Sequence, residues 1–255
     1  MCGRYASSRK PEDLVEEFEV DANMVKESLQ PDYNVAPTKD VYAVMDRVPR
    51  DAPKDTAAER RLTTVRWGLV PSWAKDIAIG NRMINARIET LAEKPAFKRA
   101  LKKRRCLLPA DGYYEWYPTE QLGKSGKPLK QPFFIRPKDG GVMAMAGLYE
   151  IWRNKEFADD EEPGAFVWSA TVITTTAEDS VGHIHDRMPM LVEPERYAAW
   201  LDASVDDPGD LATLLVPAAP GRLEAYPVAK DVNNVRNNGE HLMQPIPLEE
   251  SGVSA

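Results

Sequence analysis

The chain opens MCGRY, so one of its two cysteines, Cys2, stands directly behind the initiator methionine. Aminopeptidases trim Met1 ahead of a small side chain, and the mature chain is therefore expected to begin at Cys2. A terminal cysteine is a 1,2-aminothiol. It condenses with an aldehyde through nitrogen and then closes a five-membered thiazolidine through sulfur, which no internal cysteine can do. About a tenth to a fifth of a free α-amine is unprotonated at pH 7, so the nucleophile is available at small cost.

Glu115 stands in GYYEWYP, between Tyr114 and Trp116. On a strand it can face solvent, or apolar neighbours can raise its pKa and suit it to proton transfer near neutrality. The rings around it, Trp116 among them, also suit the stacking of nucleic-acid bases. GHIHDRMPM holds two of the three histidines, His183 and His185. No third ligand follows at metal spacing, so a metal site is not expected. His185, paired with Asp186 or steered by Arg187, is a candidate acid–base, and His241 reads as a surface or packing residue.

Asn34 in YNVAPT and the group Asn85, Arg87 and Glu89 in NARIET have two readings. They are turn and charged-loop residues, or amide and guanidinium groups converging on phosphate and sugar. Trp67 and Trp73 flank Pro71 in WGLVPSWAKD. Closely spaced tryptophans are usually core, but they can also stack on exposed bases. Cys106 reads as a small buried hydrophobe.

The elements that must position these groups are legible in outline. Helices are expected over 11–20, 92–105, 194–202 and 208–215, each with a proline near its start. Strands are expected over 106–117, 132–137, 142–152 and 166–177, where β-branched and aromatic residues dominate. The acidic loop 156–164 should join the last two as a hairpin. Strands grouped between helices argue for an α+β fold, one domain over 2–245 with a flexible tail over 246–255.

Length and composition agree with a globular protein. The 255 residues are 43% hydrophobic and 29% charged, with no apolar run of the roughly 18 residues a membrane span needs. No leader is expected ahead of Cys2, and two cysteines form no disulfide framework, which points to the reducing cytoplasm. The net charge of −7 argues against general nucleic-acid binding but not against a local basic groove. KPAFKRALKKRRC, at 94–106, carries seven positive charges and no negative one.

Taken together, MCGRY, YNVAPT, WGLVPSWAKD, NARIET, KPAF, RRCLLPADGYYEW, AGLYE, TTTAED and IHDRMPM resemble, in order and spacing, the SOS response-associated peptidase (SRAP) domain over residues 2–245. The resemblance implies a β-rich mixed sheet or open barrel flanked by helices. It implies abasic-site processing in single-stranded DNA, with the ring-opened deoxyribose as the aldehyde and Cys2 as the residue attached to it. Asn34, Glu115 and His185 match the other catalytic positions. Arg4, Asn85, Arg87 and Arg187 match phosphate ligands, with Trp67, Trp73 and Trp116 as further DNA contacts. A monomer without cofactor, metal or membrane attachment is expected. Two rival readings are an autoprocessing thiol peptidase using Cys2 and His185, and a non-covalent reader of modified DNA bases.

Overall fold

The computed structural model describes residues 2–49, 52–53 and 55–247, apart from the side chains of 179 and 180. In chain order the elements are β1 (Tyr5–Ser7), α1 (Pro11–Glu17), β2 (Ala22–Asn23), β3 (Asp32–Val35), β4 (Asp40–Arg47), β5 (Glu59–Trp67), β6 (Asn85–Arg87) and α2 (Pro95–Lys103). There follow β7 (Arg105–Ala110), β8 (Gly112–Leu122), β9 (Pro128–Pro137), β10 (Met143–Arg153), β11 (Phe166–Thr176), α3 (Asp179–Gly182), β12 (Arg187–Pro189), α4 (Tyr197–Leu201), α5 (Pro208–Leu214) and β13 (Leu223–Pro227).

Two sheets result. One runs β13-β9-β8-β1-β3, and the other β12-β11-β10-β7-β4-β5-β2. In the second, β5 also pairs in parallel with β11, Ala170 opposite Trp67, so that β4, β5, β7, β10 and β11 close on themselves. The fold is α+β as expected, with a closed rather than an open barrel. The β10–β11 hairpin forms around the acidic loop, with Arg153 opposite Phe166.

Proline opens α1, α2 and α5, where its missing N–H costs nothing and its fixed φ suits the first turn. The first helix stops three residues short of its expected end. Glu19 adopts φ +50°, a left-handed backbone that ends helices. The expected strand 106–117 is in fact two strands that belong to different sheets. Asp111 is the switch: its amide donates to Ala6 O, and its carboxylate accepts from Ser8 N at 2.6 Å. Gly112 follows because a Cβ there would lie 2.4 Å from the Phe134 ring.

One core packs the inner face of the five-stranded sheet (Tyr5, Tyr113, Phe133, Ile135) on barrel residues such as Trp67, Leu108, Met145 and Val172. A second core packs the helices, through Leu14, Phe18, Phe97, Leu101 and Trp200, on the other barrel face. A third, smaller core lies on the outer face of the five-stranded sheet and takes in Tyr114, Phe134, Val232 and Leu242. Ile246 N donates to Pro227 O at 2.9 Å, so the expected tail starts tied to the fold. The rest of it, 248–255, lies outside the described residues.

Arg105 is buried and links the second core together. Its guanidinium donates to Leu101 O and Trp200 O at 2.6 Å each, and to Lys102 O, Val205 O and Asp202 O. Apart from Val205, in the loop after α4, these carbonyls lie at the ends of α2 and α4, where no intrahelical donor remains for them. Arg105→Met should therefore lower the free energy of unfolding in urea by about 3 kcal/mol. A loss below about 0.5 kcal/mol would show that water replaces it freely.

Candidate active site and nucleic-acid interface

Alternation along β8 sorts the site residues onto two sides of a sheet. Tyr113 and Glu115 point one way, toward the barrel, and Tyr114 and Trp116 the other. Tyr5 on β1 stands directly opposite Tyr113 and so shares the barrel side. Cys2, three residues earlier, is fully buried in the same core.

Cys2 is held from the barrel. Asn85, the first residue of β6, donates its Nδ2 to Cys2 O at 2.8 Å. Asn85 Oδ1 is buried with no hydrogen-bond partner among the described residues. Glu115 is 4% exposed, and burial raises its pKa while the charge of His185 opposes the rise. Burial also pushes the Cys2 thiol well up, and the Glu115 carboxylate adds to that effect. The pair is thus arranged for proton exchange rather than for a resting thiolate.

The outer side of the sheet holds a different set. Arg4 Nη1 donates to Asn34 Oδ1 at 2.6 Å and to Val232 O at 2.9 Å, and its guanidinium lies 5.5 Å from the Trp116 ring centre. Asn34 Nδ2 donates to Val232 O, Asn234 O and Asn237 O at 3.0–3.3 Å. Trp116 Nε1 donates to Asn233 Oδ1 at 2.6 Å. Asn34 therefore clamps the segment 232–237 onto β3. Its amide is committed there, on the face turned away from Glu115. The asparagine that meets Cys2 is Asn85, which the sequence reading had assigned to phosphate.

A third group lies in an open cleft of about 550 Å³ lined by Arg87, Glu89, Thr90, His185, Asp186 and Arg187. Strand β11 brings it together: Thr174 pairs with Arg87 on β6, and Thr176 with Arg187 on β12. Arg187 makes a two-point ion pair with Glu89, at 2.5 and 3.0 Å, and also donates to Thr174 O. Its Nε and Thr90 Oγ1 are buried without hydrogen-bond partners among the described residues. His185 Nδ1 lies 3.0 Å from both the Arg187 amide and Asp186 Oδ1. Neutral, it accepts from the amide; protonated, it faces the carboxylate.

The tryptophans divide. Trp67 is fully buried, donates to Ile84 O at 3.0 Å and meets the Tyr5 ring edge-on at 4.9 Å. No base can reach its face, so it braces the strand that carries Asn85 rather than contacting DNA. Trp73 is 59% exposed and presents its ring to solvent. His183 and His241 are exposed, and no cluster able to hold a metal ion occurs among the described residues. No helix among them is long and apolar enough to cross a membrane.

With this geometry in hand, the comparisons are informative. A family model described as SOS response associated peptidase (SRAP) matches residues 1–235. The chain belongs to that family. SRAP relatives include the abasic site processing protein YoaM of Bacillus subtilis, 37% identical over 95% of this chain and 97% of that protein. The abasic site processing protein YedK of Escherichia coli is 32% identical over 96% and 100%. The abasic site processing protein HMCES of Xenopus tropicalis is 28% identical over 98% and 80%. A crystal structure from Bacteroides thetaiotaomicron superposes with TM-score 0.78 at 23% identity, covering 96% of this chain and all of that one, and shares the fold.

Tyr5 and Tyr113, which share the barrel side with Glu115, escaped the sequence reading. The signal available was spacing, since Tyr113 lies two residues before Glu115 on one strand. The raised pKa of Glu115 has a consequence for stability. A carboxyl raised by folding stabilises the native state below its unfolded pKa and loses that contribution as pH rises through the folded value. Glu115→Gln should match the wild-type thermal midpoint below about pH 4 and exceed it increasingly above. A constant difference across pH would show that folding leaves the affinity of this carboxyl for its proton unchanged.

Proposed function

We propose that this protein captures abasic sites in single-stranded DNA by a covalent bond to Cys2, forming a thiazolidine. The observation that carries the reading is the buried Cys2 held by Asn85 beside Glu115, in a chain whose relatives are named abasic site processing proteins. With Met1 removed, the α-amine of Cys2 is the nucleophile. His185 gives a proton to the sugar ring oxygen and opens the hemiacetal to the aldehyde. The amine adds to C1′, and Glu115 moves the proton from nitrogen to the departing hydroxyl, which leaves as water. The thiol then adds across the C=N bond and its proton ends on nitrogen.

Sulfur also protects the strand. An imine left open permits β-elimination of the 3′ phosphate, which is the route to weak lyase activity. Ring closure drains that imine. Asn85, fixed on the Cys2 carbonyl, orients the nucleophile and leaves Oδ1 for the sugar or the new ring. Arg87 and Arg187 supply the cleft for flanking phosphates, and Trp73 a ring for a neighbouring base.

Intact mass spectrometry tests this directly. Incubation with an oligonucleotide carrying one abasic site should give protein plus oligonucleotide less water. Cys2→Ala should give no stable adduct yet bind the same strand reversibly. Absence of the adduct from protein that has lost Met1 would overturn the reading, whereas peptide hydrolysis in trans would favour the peptidase.

Glu89 adds a second test. Its carboxylate occupies the Arg187 fork that a phosphate would need. In a Cys2→Ala background, Glu89→Gln should tighten reversible binding of single-stranded DNA by about fivefold, measured by anisotropy at fixed salt. Weaker binding would mean that Glu89 orients Arg187 rather than competing for it.

A further inference from the structure

Two buried phenols lie outside the scheme above. Tyr5 Oη and Tyr113 Oη are fully enclosed, and neither has a hydrogen-bond partner among the described residues. Phenylalanine would fill the same space without stranding a hydroxyl, so each oxygen is a cost to the fold. The neighbouring Tyr114 shows the usual solution, donating to Tyr33 O at 2.8 Å. Two adjacent exceptions on one face call for a common cause.

Register supplies the location. Tyr5 and Tyr113 are direct cross-strand neighbours, Glu115 is two residues further along the same face, and Cys2 belongs to the same buried cluster. A negative charge on Cys2 acts on both phenols more strongly than any other charged group. Glu115 and Glu178 face Tyr113 more weakly, Asp32 acts on Tyr5, and His185 faces Glu115. Sulfur therefore shares the buried space of both phenols, with a hydrogen bond to neither before the reaction begins.

The chemistry gives them work. Ring closure needs Cys2 to lose its proton where burial and Glu115 both disfavour a thiolate, with the Arg4 amide already placed against the sulfur. We propose that Tyr5 and Tyr113 are catalytic residues whose hydroxyls donate hydrogen bonds to Cys2 Sγ as its proton leaves. In that step the S–H bond breaks and its proton passes to the Glu115 carboxylate. The sulfur electron pair forms the C–S bond to the imine carbon. The C=N pair moves to nitrogen, which recovers the proton from Glu115. The hydroxyls act on developing charge, as donors in an oxyanion site do. The inference rests on the covalent reading for its biological meaning, but not for its test.

The test uses the protein without DNA. Alkylation of Cys2 by iodoacetamide is followed across pH by peptide-level mass spectrometry, which separates it from Cys106. Tyr5→Phe and Tyr113→Phe should each slow alkylation at pH 8 about tenfold and move the thiol titration upward, with the thermal midpoint unchanged or higher. Tyr114→Phe, on the opposite face, should lower the midpoint and leave the titration alone. Unchanged titration in both Phe variants, or a rate loss that tracks a fall in midpoint, would overturn the proposal. Cross-linking at saturating abasic oligonucleotide is the second readout and should slow in parallel, while reversible binding in a Cys2→Ala background stays constant. If wild-type protein forms no adduct, the covalent reading fails, and the alkylation series still decides the role of the phenols.

Discussion

The hydrogen bond from Asn85 to the Cys2 carbonyl is the constraint around which the site is organised. Chain termini ordinarily fray, because a few residues with one covalent neighbour bury too little to offset their own entropy. Here the second residue is fully buried, and its carbonyl is held by a strand from the other sheet. That bond spans the junction between the five-stranded sheet and the barrel. Trp67, wedged beneath Tyr5 and bonded to Ile84 O, keeps β6 in place to make it. Displacement of Asn85 would release the Cys2 carbonyl from the barrel.

Given that anchor, the division of labour follows from the pleat. Residues of alternate parity on β8 build different things within one strand. Tyr113 and Glu115 meet Cys2, while Tyr114 and Trp116 meet Tyr33, Arg4 and the segment 232–238. Arg4 and Asn34 serve the reactive face from behind, through the sheet they stabilise. Their polar atoms find partners inside the protein, whereas several around Cys2 and the arginine cleft do not.

Much of this was legible in the sequence, for identifiable reasons. The hairpin 143–176 and the four helices carry strong local signals, namely β-branched runs and initiating prolines. Strand β5 was missed because the polar residues Arg60, Arg61, Thr63 and Thr64 break up its apolar pattern, and β4 was missed although 41–45 form an unbroken apolar run. The break at Asp111 depends on tertiary contacts to Ala6 and Ser8 that no local window contains. The same limit applies within the site. Cys2, Glu115 and His185 stand out by chemical type, whereas nothing local distinguishes Asn34, which clamps 232–237, from Asn85, which meets the Cys2 carbonyl. Only the parity of β8 and the register of β1 separate them.

The clamp between Arg4, Asn34 and the segment 232–237 also sets an order in time. In synthesis Arg4 precedes its partner Val232 by 228 positions. At about 5–20 residues per second that interval lasts roughly ten to forty seconds. Through it the outer clamp is missing, although Asn85 and the barrel strands that anchor Cys2 have already been made. Only once residue 237 has emerged can Arg4 and Asn34 close the clamp. The outer face of the five-stranded sheet is therefore completed last, by a segment far removed in sequence from the strands it covers.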